Sequence, residues 1–114
     1  MTEPLDPGKM RSRLLFGYLE ERRGSLGEVL PSEPVHAGRA WAMMEPISNR
    51  KIRTADQRQV VETCQFTLYP RAVEIDWTVT TGGKVFTVRS VDRSIPDRII
   101  ITAEADSRHD RAGN

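Results

Sequence analysis

Few of the side chains that could do chemistry are spaced to do it together. Cys64 is the only cysteine, so an internal disulfide and a cysteine-based zinc cage are both excluded. It alternates with Phe66 and Leu68 on the inward face of a strand-like run, where a thiol acts as a small hydrophobe with a raised pKa. The two histidines, His36 and His109, are 73 positions apart. Asp106, His109 and Asp110 have the i, i+3, i+4 spacing of a ligand cluster, but they sit in a charged tail with no apolar support for a coordination shell. His36, two residues before Gly38, reads as a surface imidazole in a loop. Glu74 and Asp76 are spaced as neighbours on one strand face, yet no polar cleft can be named to raise either pKa. Gly82-Gly83 lacks the strand-loop-helix setting and the further glycines of a phosphate cradle. The residues therefore predict no catalytic group, no metal and no cofactor.

One stretch concentrates charge. Between Ile47 and Gln59, Arg50, Lys51, Arg53 and Arg58 face only Asp56, a local balance of +3. Its apolar stripe is too thin to pack as a helix, and the sequence predicts an exposed, mobile loop. Two readings follow. The plain one is a hydrophilic connection, as long polar loops usually are. The functional one is contact with phosphates or an acidic partner. A monomer with this charge would bind DNA weakly, with a shallow salt slope. A ring of six to twelve copies would focus the same charge many times over at one axis.

Composition sets the frame for these residues. The 114 residues amount to one ordinary domain, with Lys plus Arg at 17 against 16 Asp plus Glu. Neither half is a basic arm, which argues against tight sequence-independent DNA binding by a monomer. Apolar residues are 38% of the chain and only seven residues are aromatic, so the core must be small and mostly aliphatic. Such a chain can close one barrel or sandwich but leaves little room for a deep substrate cavity. The lone cysteine fits a reducing compartment. Met1–Pro7 carries Glu3 and Asp6 with no apolar run, so it does not read as a secretory signal. No stretch approaches the ~20 apolar residues of a membrane span. The expectation is a soluble protein made inside the cell.

The elements that must position these residues read as strands. After an irregular lead-in over residues 1–9, Leu14, Phe16 and Tyr18 alternate on one face. Residues 20–34 hold two glycines, Pro31 and Pro34, and read as a long solvated connection in which Val29-Leu30 adds at most a short edge strand. Gly38–Pro46 reads as the second clear strand, with Trp41 and Met43 inward and Pro46 as its stop. Val60–Tyr69 follows with Val60, Cys64, Phe66 and Leu68 on one side, ended by Pro70. Ile75–Thr80 is a short strand carrying Trp77 and Val79. Thr81–Lys84 is a hairpin turn with positive-φ glycines, and Val85–Val91 its return strand. Asp92–Asp97 turns the chain again, and Arg98–Glu104 is the last strand. Residues 107–114 read as a frayed tail.

About six short antiparallel strands without a convincing helix predict an all-β protein, a small single-domain β-barrel over residues 10–106. A long polar loop is expected between its second and third main strands. Closure is favoured over an open sandwich because it removes aggregation-prone edges. The expected interior is Leu14, Phe16, Trp41, Met43, Phe66, Leu68, Trp77, Phe86, Val88, Ile99 and Ile101, each contributing about 1.5–3 kcal/mol on burial.

In order and spacing, several segments resemble the head-tail joining (head-closure, stopper or head-completion) proteins of long-tailed bacteriophages, over roughly residues 8–106. Gly8-Lys9-Met10-Arg11-Ser12-Arg13-Leu14 is similar to that family's opening strand, and Gly27-Glu28 to a glycine-glutamate pair in its first loop. Ala40-Trp41-Ala42-Met43-Met44-Glu45-Pro46 is close to its second strand. Phe66-Thr67-Leu68-Tyr69 resembles its third, departing at Thr67-Leu68. Gly82-Gly83-Lys84-Val85-Phe86-Thr87-Val88 with Val91 matches its hairpin.

The resemblance implies a non-enzymatic virion protein, assembled in the host cytoplasm. It would form a ring beneath the portal and adaptor, close the DNA-filled head and present a docking surface to the tail and its terminator. It also implies that the segment matching 47–59 reaches into the axial channel; the charge of that segment in this sequence then makes Arg50, Lys51, Arg53 and Arg58 the expected contacts to the channel or its packaged DNA. The alternatives are a tail-terminator or other neck ring, and a monomeric β-barrel nucleic-acid-binding module. The last lacks the interleaved aromatic platform such modules use. No membrane partner is expected.

Overall fold

The computed structural model describes residues 3–54 and 57–106. A single 3-10 turn, Pro7–Lys9, leads into six strands: β1 (Ser12–Arg23), β2 (Val29–Thr54), β3 (Gln57–Leu68), β4 (Thr78–Thr81), β5 (Lys84–Asp92) and β6 (Ile99–Asp106). All neighbours are antiparallel, and the order β1-β2-β3-β6-β5-β4 closes on itself through Leu15↔Thr80, Phe16↔Val79 and Gly17↔Thr78. The expected all-β architecture is therefore present as a closed ring of strands.

Two stretches read as loops are strand instead. β1 and β2 stay paired as far as Glu20↔Glu33, Arg22↔Leu30 and Arg23↔Val29, so residues 20–33 form a hairpin arm rather than a solvated connection. Its end is short: Gly24 N donates to the Glu28 carbonyl at 2.8 Å, and Gly27 takes φ 85°. The predicted polar loop between the second and third strands is likewise a ladder, continuing through Ile52↔Gln59 and Arg53↔Arg58 to Thr54↔Gln57. Polarity misled both readings, because a two-stranded arm standing in water has little apolar surface to bury. Ala55 and Asp56, Met1 and Thr2, and the 107–114 tail with His109 and Asp110 lie outside the described residues.

β2 is thus 26 residues long, not short. Fully extended it would span about 86 Å, yet the longest dimension of the molecule is 53 Å, so the strand must curve. Register shifts at Phe16/Gly17, Glu20/Arg22 and Pro46/Ser48 each leave one additional residue on β2. Such bulges bend the strand that carries them. They also accommodate its prolines: Pro46 does not stop the strand but sits beside a bulge, where a missing N–H is tolerated.

The ring encloses a small core. Leu14, Phe16, Ala42, Cys64, Phe66, Leu68, Val79, Phe86, Val88, Ile99 and Ile101 are all buried, and Phe66 meets Phe86 edge-on at 5.5 Å and 81°. Three expected core residues differ. Trp41 is exposed, and Met43 and Trp77 are only partly covered, Trp77 stacking on Tyr18 at 5.0 Å. On β2 the inward positions are Ala40, Ala42 and Met44. Arg39 and Glu45 share the parity of Trp41, so turning that face inward would bury two charges.

The connection 69–77 joins strands on opposite sides of the ring and carries its cover. Val73 is buried there, and the Arg71 guanidinium lies 4.2 Å from the centroid of Phe16. Arg71 donates to the Ala37 carbonyl at 2.5 Å, while Arg93 donates to the Arg71 carbonyl at 2.9 Å. Burial pulls the Arg71 pKa below the ordinary arginine value, although arginine stays charged in proteins.

Gly38 makes this seat possible. It has φ +106°, and a Cβ there would come within 3.2 Å of Arg71 Nη2. Gly38→Ala is therefore expected to lower stability by about 1–3 kcal/mol. Urea unfolding should show a lower midpoint at an unchanged m-value. An unmoved midpoint would mean that Arg71 yields freely and the seat is loose.

Candidate functional site

No catalytic constellation is assembled among the described residues. Cys64 is wholly buried, and its thiol is pushed up by burial, then by the neighbouring Glu62 carboxylate. Glu62 is engaged by Lys84 at 2.6 Å. Glu74 and Asp76 do not pair: Asp76 lies 3.8 Å from Arg89 instead, in the left-handed region at φ 75°. Among the described residues no three His, Cys, Asp or Glu side chains cluster as metal ligands, and no helix is long and apolar enough to cross a membrane. His36 is exposed as expected, but it lies on β2 opposite Gly17 rather than in a loop.

Among the described residues the fold instead presents three exposed surfaces. The first arm, residues 20–33, ends in Leu26, which is 92% exposed, with Leu19 and Val29 also open to solvent. Both signs of charge occur along it. Arg22 pairs with Glu33 at 2.7 Å and Arg23 with Glu21 at 3.0 Å. Opposite Glu33, however, the register sets Glu20, a like-charge pairing that weakens a two-stranded ribbon.

The second arm carries the predicted contact residues. Arg50, Lys51 and Arg53 lie on the outgoing strand and Arg58 on the return, with Arg50↔Val61, Lys51↔Val60 and Arg53↔Arg58 as register partners. The four are brought into one hairpin, held by a ladder instead of spread along a loop. Among the described residues β6 reaches only as far as Val61, and residues 57–60 pair with β2 alone. The arms lie at the two ends of β2, and so at opposite ends of the strand ring.

A third surface was not foreseen. Trp41 and Tyr69, 55% and 48% exposed, line an outer groove of about 730 Å³ with Met10, rimmed by Arg11, Arg39 and Arg71. Arg13 lies 6.0 Å above the Trp41 ring. No carboxylate lines the groove, and none pairs with these four arginines among the described residues. The charged flanks Arg39 and Glu45 were the signal that marks the Trp41 face as outward.

Comparison with known proteins follows the fold. The family model described as phage head completion protein matches residues 5–107. No curated protein matches the chain. Among solved structures, a chain from the virion of a native gene transfer agent particle superposes with a TM-score of 0.62, covering 84% of this chain and 96% of that one. Sequence identity is 14%, so this is a likeness of fold.

Proposed function

The chain belongs to the phage head completion protein family, and from that premise we propose that it is a non-enzymatic ring protein of the neck. In this reading six to twelve copies stand beneath the portal and adaptor, close the DNA-filled head and offer the tail and its terminator a docking surface. The carrying observation is the placement of the two arms at opposite ends of one strand ring. A protein inserted between two assemblies needs a contact surface at each end, and the closed ring supplies a stiff spacer between them.

The second arm is the part assigned to the channel. Arg50, Lys51, Arg53 and Arg58 would face the phosphates of the packaged DNA, and repetition around a ring would multiply their charge. Neutralising phosphates releases counterions, so that contact should weaken steeply with salt. Assembly would take place in the host cytoplasm, and the protein would then remain in the virion.

Deletion of the gene in its parent phage or prophage tests the reading by electron microscopy of the lysate. Emptied or leaking heads beside complete, unattached tails are expected. Heads that stay closed and filled, beside tails of abnormal length, would move the protein to the tail side of the joint. Normal virions would end the neck assignment.

A further inference from the structure

We propose that the groove around Trp41 and Tyr69 receives the first arm of a second copy of this chain. The inference rests on the ring reading and adds which two surfaces meet within it.

The groove side is apolar at its floor and cationic at its rim, with Met10, Trp41 and Tyr69 beneath Arg11, Arg39 and Arg71. Exposed tryptophan flanked by arginine is the residue chemistry that dominates protein interfaces. The chemistry that fits is an apolar segment carrying carboxylates. The arm provides both: Leu26 is exposed at its end, Leu19 and Val29 share one face with Glu21, and Glu20 and Glu33 lie on the other face, so that with Glu28 four carboxylates stand against only Arg22 and Arg23.

The arm also holds a local conflict that a cationic partner would relieve. Glu20 and Glu33 are register partners, and like charges directly opposite destabilise a ribbon. Arg22 answers Glu33, whereas Glu20 has no cationic partner among the described residues. A groove that takes the ribbon edge-on sets its apolar floor against Leu26 and the Leu19–Val29 face and its arginine rim against the face that carries both carboxylates.

Because the two halves are different surfaces of one chain, the contact is heterologous. Each copy gives an arm to one neighbour and a groove to the other, which generates a closed ring when the rotation closes.

Crosslinking in particles tests this. Ser25→Cys at the arm end and Pro70→Cys on the groove rim leave Leu26, Trp41 and the arginines in place. Cys64 is buried and should not react with the reagent. Particles containing the double variant, treated with a short bismaleimide, should give a ladder of multimers of this chain. Each single variant should give none, and adding Trp41→Ala to the double variant should abolish the ladder. Particles that carry the double variant in several copies but yield only monomer would overturn the proposal while leaving the ring intact. A crosslink to a different virion protein would overturn it in favour of that partner. Absence of the chain from particles would instead remove the neck reading on which it rests.

Discussion

Phe86→Ala should cost about 3–5 kcal/mol of stability, a large part of the roughly 5–15 kcal/mol that holds a domain of this size. Phe86 is wholly buried, lies opposite Val79 in the β4–β5 register, and presents its ring edge-on to Phe66. Only three phenylalanines fill the ring. Its other contents are mostly aliphatic or as small as Ala42, Ala103 and Cys64, so truncation removes one of the three largest fully buried side chains. Paired strands also leave the wall little freedom to collapse. Thermal and urea unfolding would show the loss, with Leu26→Ala as the comparison. Leu26 stands almost entirely in solvent, and its truncation should change stability by less than about 0.5 kcal/mol. A Phe86→Ala protein within about 1 kcal/mol of the parent would mean that the interior repacks and that the ring is a poor spacer.

Replacing Arg50, Lys51, Arg53 and Arg58 together with Ser should leave folding nearly untouched and change the hold on DNA. Residues 51–54 and 57–60 make their ladder with each other, beyond the reach of β6, and Arg50 faces Val61 where β6 ends. The closed core therefore does not depend on them, and unfolding midpoints should match those of the parent protein. Function should not. Four positive charges lost from every copy would be multiplied by the number of copies, and each phosphate contact contributes to the salt dependence of binding. Particles bearing the variant should leak DNA or eject it with altered kinetics, and the difference should narrow as salt is raised. Parental retention and ejection at every salt concentration would withdraw the channel role from this arm, leaving the head-completion assignment in place.

The central strands were legible because their residues obey a period of two with a clear polarity. Cys64, Phe66 and Leu68 alternate with polar neighbours and are buried as read. The Gly82-Gly83 turn has φ 57° and 79° as its composition demands, with Thr81 facing Lys84. The arms were not legible, because burial is what makes a strand conspicuous in sequence. Pro31, Pro34 and the glycines suggested a loop, while the structure uses bulges to admit prolines into a ladder. The second arm still left a trace: Ile52 and Thr54 alternate with Lys51 and Arg53 just before the two residues that precede Gln57. Trp41 was misplaced by size alone, since the largest apolar side chain was assigned to the core. The inward positions of β2 are instead Ala40, Ala42 and Met44, against an interior that holds Phe16, Phe66 and Phe86. Within the candidate site, the basic quartet was found from charge. The groove required knowing which face of β2 looks outward.

The continuity of β2 has a mechanical consequence. Both arms belong to one polypeptide strand from Val29 to Thr54, so a pull on either arm travels to the other along covalent bonds rather than across a packed joint. The three bulges are the compliant points on that path, and the ladders on either side hold the rest stiff. Load taken up at one end of the molecule is thereby transmitted to the far end as tension in a single chain.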